Sequence, residues 1–401
     1  MIGVAMFLAA YVLSNASLFR SVSVLYYAKH LSLLAVAGLG ASVWLLRGSL
    51  VARRRYVAFC GAISLIALPY LTRAVLTADT VEAAVFLQYF AFGIAAVAIA
   101  AALESQPNRI LTIGPLIIIG ATAIVAGLTY VYDPIHLFNR FWGRPRLLLG
   151  FWHPKEIGGL LAVALLLVTT RVALGHRRPA GLLLGAFLLL LLLLVDSRNM
   201  FLFSVIFPLA YLCARFGSYY ALAIGATAVL TATIWFVAAF PLLADLVLSR
   251  RLTVWQEAHY SLAGSGTALN YYEGEVLGKF SLDNFFVEYA IENGAYLLIL
   301  FFALPALIGY LVRETPDRRW KYLKVSAAMA FVASTFFDAG MFSTGNIFHL
   351  AFWVYLLAGE RILGAPSTSV APAPARPTGQ SPRGRAGRFD ALPAGSPAVA
   401  G

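Results

Sequence analysis

The sequence predicts an all-α polytopic membrane protein with about twelve transmembrane helices and one large outward loop between the ninth and tenth. Hydrophobic residues make up 61% of the 401-residue chain, charged residues only 12%, and mean hydropathy is +0.81. A soluble domain carries about 25% charged residues, so this set cannot cover a surface in water. The apolar residues fall in runs of about 20, the length that crosses a hydrocarbon core of about 30 Å. Short basic clusters separate those runs, a pattern that encodes topology rather than nucleic-acid binding. The net charge of +12 therefore points to no nucleic-acid partner.

Taken in order, spans are expected at 2–19, 30–46, 56–72, 82–103, 110–130, 152–171, 180–195, 200–214, 219–240, 288–312, 325–341 and 346–359. The first lacks a basic start and a small-residue cleavage site, so it reads as a retained helix rather than a signal peptide. The eighth is the shortest, and the polar stretch Asp196–Asn199 before it leaves a re-entrant break open as the alternative. Cys60 and Cys213 fall within apolar runs, which argues against a disulfide framework or a zinc site. Three regions result: N-terminal helices 1–130, a membrane core 131–360 that includes an outward loop 241–287, and a tail 361–401. From Ala365 onward the tail is rich in Pro, Ala, Gly and Arg, and is expected to stay disordered. No internal repeat marks an inverted-repeat transporter.

Charge assigns the sides. With both termini and the connections at 47–55, 104–109, 171–178, 215–218 and 313–324 in the cytoplasm, that face holds 19 of the 30 Lys and Arg. It holds only five of the 18 acids. Such a split obeys the positive-inside rule. The bases left on the outer side then stand out, because topology disfavours them there. They include Arg140, Arg144, Arg146, Lys155, Arg198, Arg250, Arg251 and Lys279. An anionic partner explains their concentration; solvated loop charge and headgroup anchoring form the plainer alternative.

Three outward segments carry candidate chemistry. In the first, Tyr132 to Gly159, Arg144 and Arg146 precede an apolar stretch, and His153-Pro154-Lys155-Glu156 opens a helix with proline in its first turn. The alternative is a plain helix start with an interfacial aromatic belt of Phe141, Trp142, Phe151 and Trp152. No second His, Cys or carboxylate cluster follows at ligand spacing, so no metal site is expected. The second segment, Asp196-Ser197-Arg198-Asn199, is wedged between two apolar runs, where charge is costly unless paired or used. Mutual neutralisation or snorkelling of Arg198 would also explain it.

The third segment, Asp245 to Gly294, carries Arg250, Arg251, Trp255, His259, a Gly264-Ser265-Gly266 turn, Tyr271 and Tyr272. It closes on Asp283, Asn284, Glu288 and Glu292. The last three are spaced i, i+4, i+8 and would share one helix face. The plainer readings are an N-cap at Asp283 and a short amphipathic helix before the deep run at Ala295. A loop this long is more often functional than a mere connection.

In this order the segments resemble the O-antigen ligase/polymerase superfamily of bacterial envelope glycosyltransferases. Arg146 to Gly150 and His153-Pro154-Lys155 resemble its Arg-x-x-Gly and His-Pro-Asn motifs, with a one-residue insertion and Lys in the Asn position. Ser197-Arg198 resembles the Ser-Arg that ends its next apolar run. Arg251, Trp255, Gly264 and Gly266 resemble the start of its periplasmic loop, and Asp283-Asn284-Phe285 with Glu292-Asn293-Gly294 the close. The likeness covers about residues 130–310 and the twelve-helix, GT-C-like layout. Ligases of the family generally carry His where Asp283 stands; the Asp-Asn pair is more like the repeat-unit polymerases.

The resemblance implies an inner-membrane enzyme with cytoplasmic termini and no cofactor. Its substrates would be a polyprenyl-diphosphate-linked glycan donor and a glycan acceptor, with membrane lipid around it. A flippase and a chain-length regulator are the implied protein partners. Charge builds on the diphosphate as it leaves, so fixed cations stabilise the transition state, and the Arg fork suits phosphate oxygens. Arg198 and Arg251 are the expected catalytic cations, and Arg250, Arg146, Arg144, His153 and Lys155 are expected to hold substrate. Asp283 is the first candidate to orient or deprotonate the acceptor, with Glu288 and His259 as alternates and Asn284 beside them. Trp255, Tyr271 and Tyr272 are expected to stack on sugars or grip the prenyl chain. Glycan ligase and lipid-linked glycan transporter are the rival functions, and a non-catalytic membrane protein is the plainest.

Overall fold

The computed structural model describes residues 10–19, 50–104, 109–141, 144–175, 178–216, 219–243, 284–336 and 346–363, with isolated positions 35, 38, 42, 338, 341 and 342. Residues 2–9 of the first expected span, all but three positions of the span 30–46, most of the expected outward loop and nearly all of the tail lie outside these residues.

The described chain is almost wholly helical. Leu50–Thr77 forms α1, Thr80–Glu104 α2, Arg109–Tyr132 α3, Pro154–Ala173 α4, Arg178–Val195 α5, Arg198–Phe216 α6 and Tyr219–Ala239 α7. After the loop come the short α8 (Phe285–Asn293), then α9 (Leu297–Arg313), α10 (Arg318–Thr335) and α11 (Ile347–Ile362). Among the described residues, six helices are long and apolar enough to cross a membrane: Arg54–Thr77, Thr80–Glu104, Ile113–Tyr132, Pro154–Ala173, Arg198–Phe216 and Gly294–Arg313. Pro179–Val195 is apolar but shorter. The coarse expectation of an all-α membrane protein holds, whereas twelve spans are not all present among the described residues.

Four details depart from the sequence reading. First, a two-stranded antiparallel hairpin, β1 (Phe138–Phe141) with β2 (Arg144–Leu147), interrupts the all-α pattern and pairs Asn139 with Arg146. Second, the run expected at 200–214 is longer, Arg198–Phe216, and the stretch before it is a turn. The chain turns at Asp196, whose φ is +53°, and α6 then runs unbroken for 19 residues. Asp tolerates that left-handed conformation because its short polar side chain bonds locally. Third, the run 288–312 is not one helix; a 3₁₀ turn at Gly294–Tyr296 separates α8 from α9, and the apolar span starts only at Gly294. Gly294 ends α8 with φ +52°, which stops the helix. Fourth, the expected span 325–341 is shifted. Asp317 caps α10 by accepting from the Arg319 amide, so the helix begins at Arg318 and ends at Thr335, leaving Asp338 beyond it.

α4 forms the centre of the bundle. It packs on α3, α5, α6 and α11, and α10 lies along α6. α1 pairs with α2 and α9, and α2 also meets α11. Small residues allow the close approaches. A Cβ on Gly158 would lie 2.6 Å from Ser197 Cβ, so the first turn of α4 sits directly against the start of α6. Stacked aromatics fill the interior, with Phe331 over Phe352 at 3.6 Å and Trp353 beside Phe342 at 5.5 Å.

The ion pairs of the described residues gather at the two ends of the bundle. At one end Glu360 binds both Arg55 and Lys324 (2.6 Å to Lys324), Arg55 also donates to the Glu314 carbonyl, and Arg361 pairs with Glu104 at 3.0 Å. These groups come from the connections that charge assigns to a single face. Arg73 lies 18 residues along α1 from Arg55, about 27 Å at helical rise. There it pairs with Glu82 at 2.8 Å and donates to Asn293 Oδ1 at 2.8 Å.

Candidate functional site

At that second end, the described parts of the three segments expected to face outward meet. Pro154 occupies the first position of α4, as the sequence predicts, and His153 is its N-cap, with Nδ1 accepting from the Lys155 amide at 3.1 Å. The cap turns the Lys155 side chain toward Asp338, with Nζ 3.1 Å from Oδ1. From α6, the Asn199 amide donates to Asp338 Oδ2 at 2.8 Å, and Ser197 donates to Asn199 at 3.1 Å. From α11, His349 Nε2 lies 3.3 Å from the same Oδ2. From α8, the Phe285 amide donates to the Asp338 carbonyl at 2.9 Å. One residue thus ties four helices together.

Asp338 is buried, with 5% of its side chain exposed. Burial pushes its carboxyl up, but His349 and Lys155 outweigh burial and hold it below the usual carboxylate range. An anion in this setting survives because it is paired and hydrogen-bonded on both oxygens.

A second group stands beside it. Arg146 at the end of the hairpin binds Asp196 Oδ2 at 3.0 Å, while Arg198 Nε lies 3.7 Å from Oδ1. Two guanidinium groups share one carboxylate. Arg198 and Lys155 each keep 33% of the side chain exposed, against 15% for Arg146. The left-handed turn at Asp196 holds its carboxylate between both arginines. Planar donors held in place and partly open to solvent are suited to phosphate oxygens.

A third group anchors the end of the loop. Asn284 caps α8 by accepting from the Phe286 and Val287 amides, and is itself buried. The cap that the plainer reading puts at Asp283 is therefore supplied one residue later. Glu292 accepts from the Tyr70 hydroxyl at 2.6 Å, and Asn293 donates to that hydroxyl at 3.1 Å. Burial raises the Glu292 carboxyl; the Tyr70 hydrogen bond and Arg73 pull it back only in part. Glu288, on the same helix, is partly exposed.

Of the expected site residues, the structure brings Arg146, His153, Lys155, Arg198 and Asn284 to one end of the bundle. Asp283, Arg250, Arg251, Trp255, His259, Tyr271 and Tyr272 lie outside the described residues, as does the side chain of Arg144. Asp338 and His349 escaped the sequence reading, although a signal existed: an ionisable residue inside an apolar run is unusual in itself. Both fell within expected spans and were absorbed into them. Among the described residues, no group of three His, Cys, Asp or Glu is placed to hold a metal ion. No family model, curated protein or solved structure matches the chain.

Proposed function

We propose that the chain is a glycosyltransferase of the bacterial inner membrane that polymerises polyprenyl-diphosphate-linked repeat units on the outer face. The product would be an O-antigen, capsule or exopolysaccharide. The supporting observation is the meeting of Arg146, Arg198 and Lys155 at one end of the bundle around Asp196 and Asp338. In this reading the charged end at Arg55 and Glu360 faces the cytoplasm. The cation cluster then lies outside, where no topology rule places bases.

In the reaction, an acceptor sugar hydroxyl attacks the anomeric carbon of the donor. A C–O bond forms there, the bond to the diphosphate breaks, and the electron pair departs with the diphosphate. Arg198 and Arg146, with Arg251 and Arg250 from the loop, neutralise the departing charge. The hydroxyl proton passes to a carboxylate, for which Asp283 is the candidate; such help is worth roughly 10²- to 10⁴-fold. The donor's prenyl chain has an apolar cleft available between α2, α3, α4 and α11, lined by Ile118, Leu167, Leu350 and Val354. The cleft runs from Ile347, two residues before His349, to Leu103, Ile362 and Leu363 beside the Glu104 and Glu360 end.

The Asp-Asn pair favours a polymerase over a ligase that would move finished glycan to an acceptor. A transporter would place ionisable groups near the midplane, whereas the ion pairs of the described residues collect at the two ends. Arg198→Ala, Arg251→Ala and Asp283→Ala are each expected to abolish polymer while the protein remains in the membrane. Normal polymer length and yield in all three would sink the proposal. Loss of a polymerase leaves single repeat units on the final acceptor, and loss of a ligase leaves long chains on the carrier.

A further inference from the structure

We infer that Asp338 is a positioning residue: it holds the Lys155 ammonium and the Asn199 amide in place at the cation cluster, and its backbone ties both to the end of the outward loop. The significance of this arrangement for transfer rests on the glycosyltransferase reading; the geometry does not. Asp338 stands outside any helix, between α10 and α11, yet its carboxylate is almost wholly buried. A buried carboxylate is costly unless paired, and this one is paired three ways, to Lys155, Asn199 and His349. His349 has 2% of its side chain exposed and Asp338 5%, so neither is placed to meet a substrate directly. Lys155 is the member of the group that reaches solvent.

The close contact between Gly158 and Ser197 locks the starts of α4 and α6 together. Lys155 and Asn199 therefore approach the two carboxylate oxygens from a fixed pair of helices. The Phe285 amide on the Asp338 carbonyl adds the start of α8, the first helix after the loop. Removing the carboxylate takes this partner from the ammonium without removing any exposed cation.

The test reads Lys155 itself. The purified full-length protein in detergent is treated with formaldehyde and a borane reductant, and the rate of dimethylation is followed at each lysine by mass spectrometry. An ammonium held by a carboxylate stays protonated and reacts slowly. Asp338→Asn is expected to speed modification of Lys155 several-fold, and Asp338→Glu to return it toward the native rate. Lys324, paired with Glu360 at the other end of the bundle, reports on the fold and should not change. If Asp338→Asn fails to fold, Asn199→Ala, which loosens the same carboxylate, should also speed Lys155. An unchanged Lys155 rate in a folded variant overturns the inference. Faster Lys155 modification together with normal polymer from both Asp338→Asn and Lys155→Ala would leave the positioning standing and remove Lys155 from the transfer step, whereas the glycosyltransferase reading itself falls only with normal polymer from Arg198→Ala, Arg251→Ala and Asp283→Ala.

Discussion

Asp338 is a buried carboxylate and Glu292 a partly buried one, and burial acts on them with opposite net results because only Asp338 gains a cationic side chain on its oxygens. Asp338 is held low, so its contribution to stability is present above the ordinary carboxylate range. That contribution is lost as pH falls from about 4 through its depressed folded value. Glu292 is held high, so the folded state favours its neutral form. Its contribution is present below the ordinary range and is lost as pH rises through the raised folded value. Thermal unfolding in detergent as a function of pH checks both signs. Glu292→Gln is expected to remove the decline on the rising side, and Asp338→Asn to remove the steep loss at low pH. At this scale the sequence revealed the cations and missed their anchor. Lys155, Arg146 and Arg198 were conspicuous as bases on a face where topology disfavours them. Asp338 and His349 were hidden because hydropathy averages an isolated charge into the apolar run around it.

Helix starts set the geometry of the cluster, and most were legible from short signals. His153-Pro154 announced α4, and the expected amphipathic helix before Ala295 is α8. The cap of α8 was displaced by one residue, since Asp and Asn are both favoured there and only the backbone register selects Asn284. Asn284→Ala is expected to cost about 1 kcal/mol, measurable as a lowered unfolding temperature, because two backbone amides lose their acceptor. Gly158→Val is expected to cost about 1–3 kcal/mol and to separate α4 from α6, since any Cβ meets Ser197. Cysteine cross-linking across this contact measures the separation directly. The hairpin between α3 and α4 gave no sequence signal. Its strands are four residues each, too short for a period of two to register.

For the molecule as a whole, composition and run length decided the solvent, and charge decided which connections share an end. The pairing of Arg55, Lys324 and Glu360 with the Glu314 carbonyl joins four helices at the basic end. Glu360→Gln leaves two buried cations without their carboxylate and is expected to destabilise the protein by about 3–5 kcal/mol. Thermal denaturation in detergent would register this as a large drop, with Glu360→Asp between the two. Packing order was not legible, because helices apolar on every side give no face to orient. That α4 is central, and that α10 lies along α6, follows from side-chain fit rather than periodicity.

The central claim is that the cation cluster transfers glycan from a diphosphate carrier. Its most direct measurement reconstitutes the purified protein in vesicles with polyprenyl-diphosphate-linked repeat units and separates the lipid-linked products by size. The expected result is a ladder of carrier-linked chains of increasing length, lost in Arg198→Ala and strongly reduced in Asp338→Asn. Repeat units that stay single with the native protein, at substrate concentrations that saturate the vesicles, would contradict it.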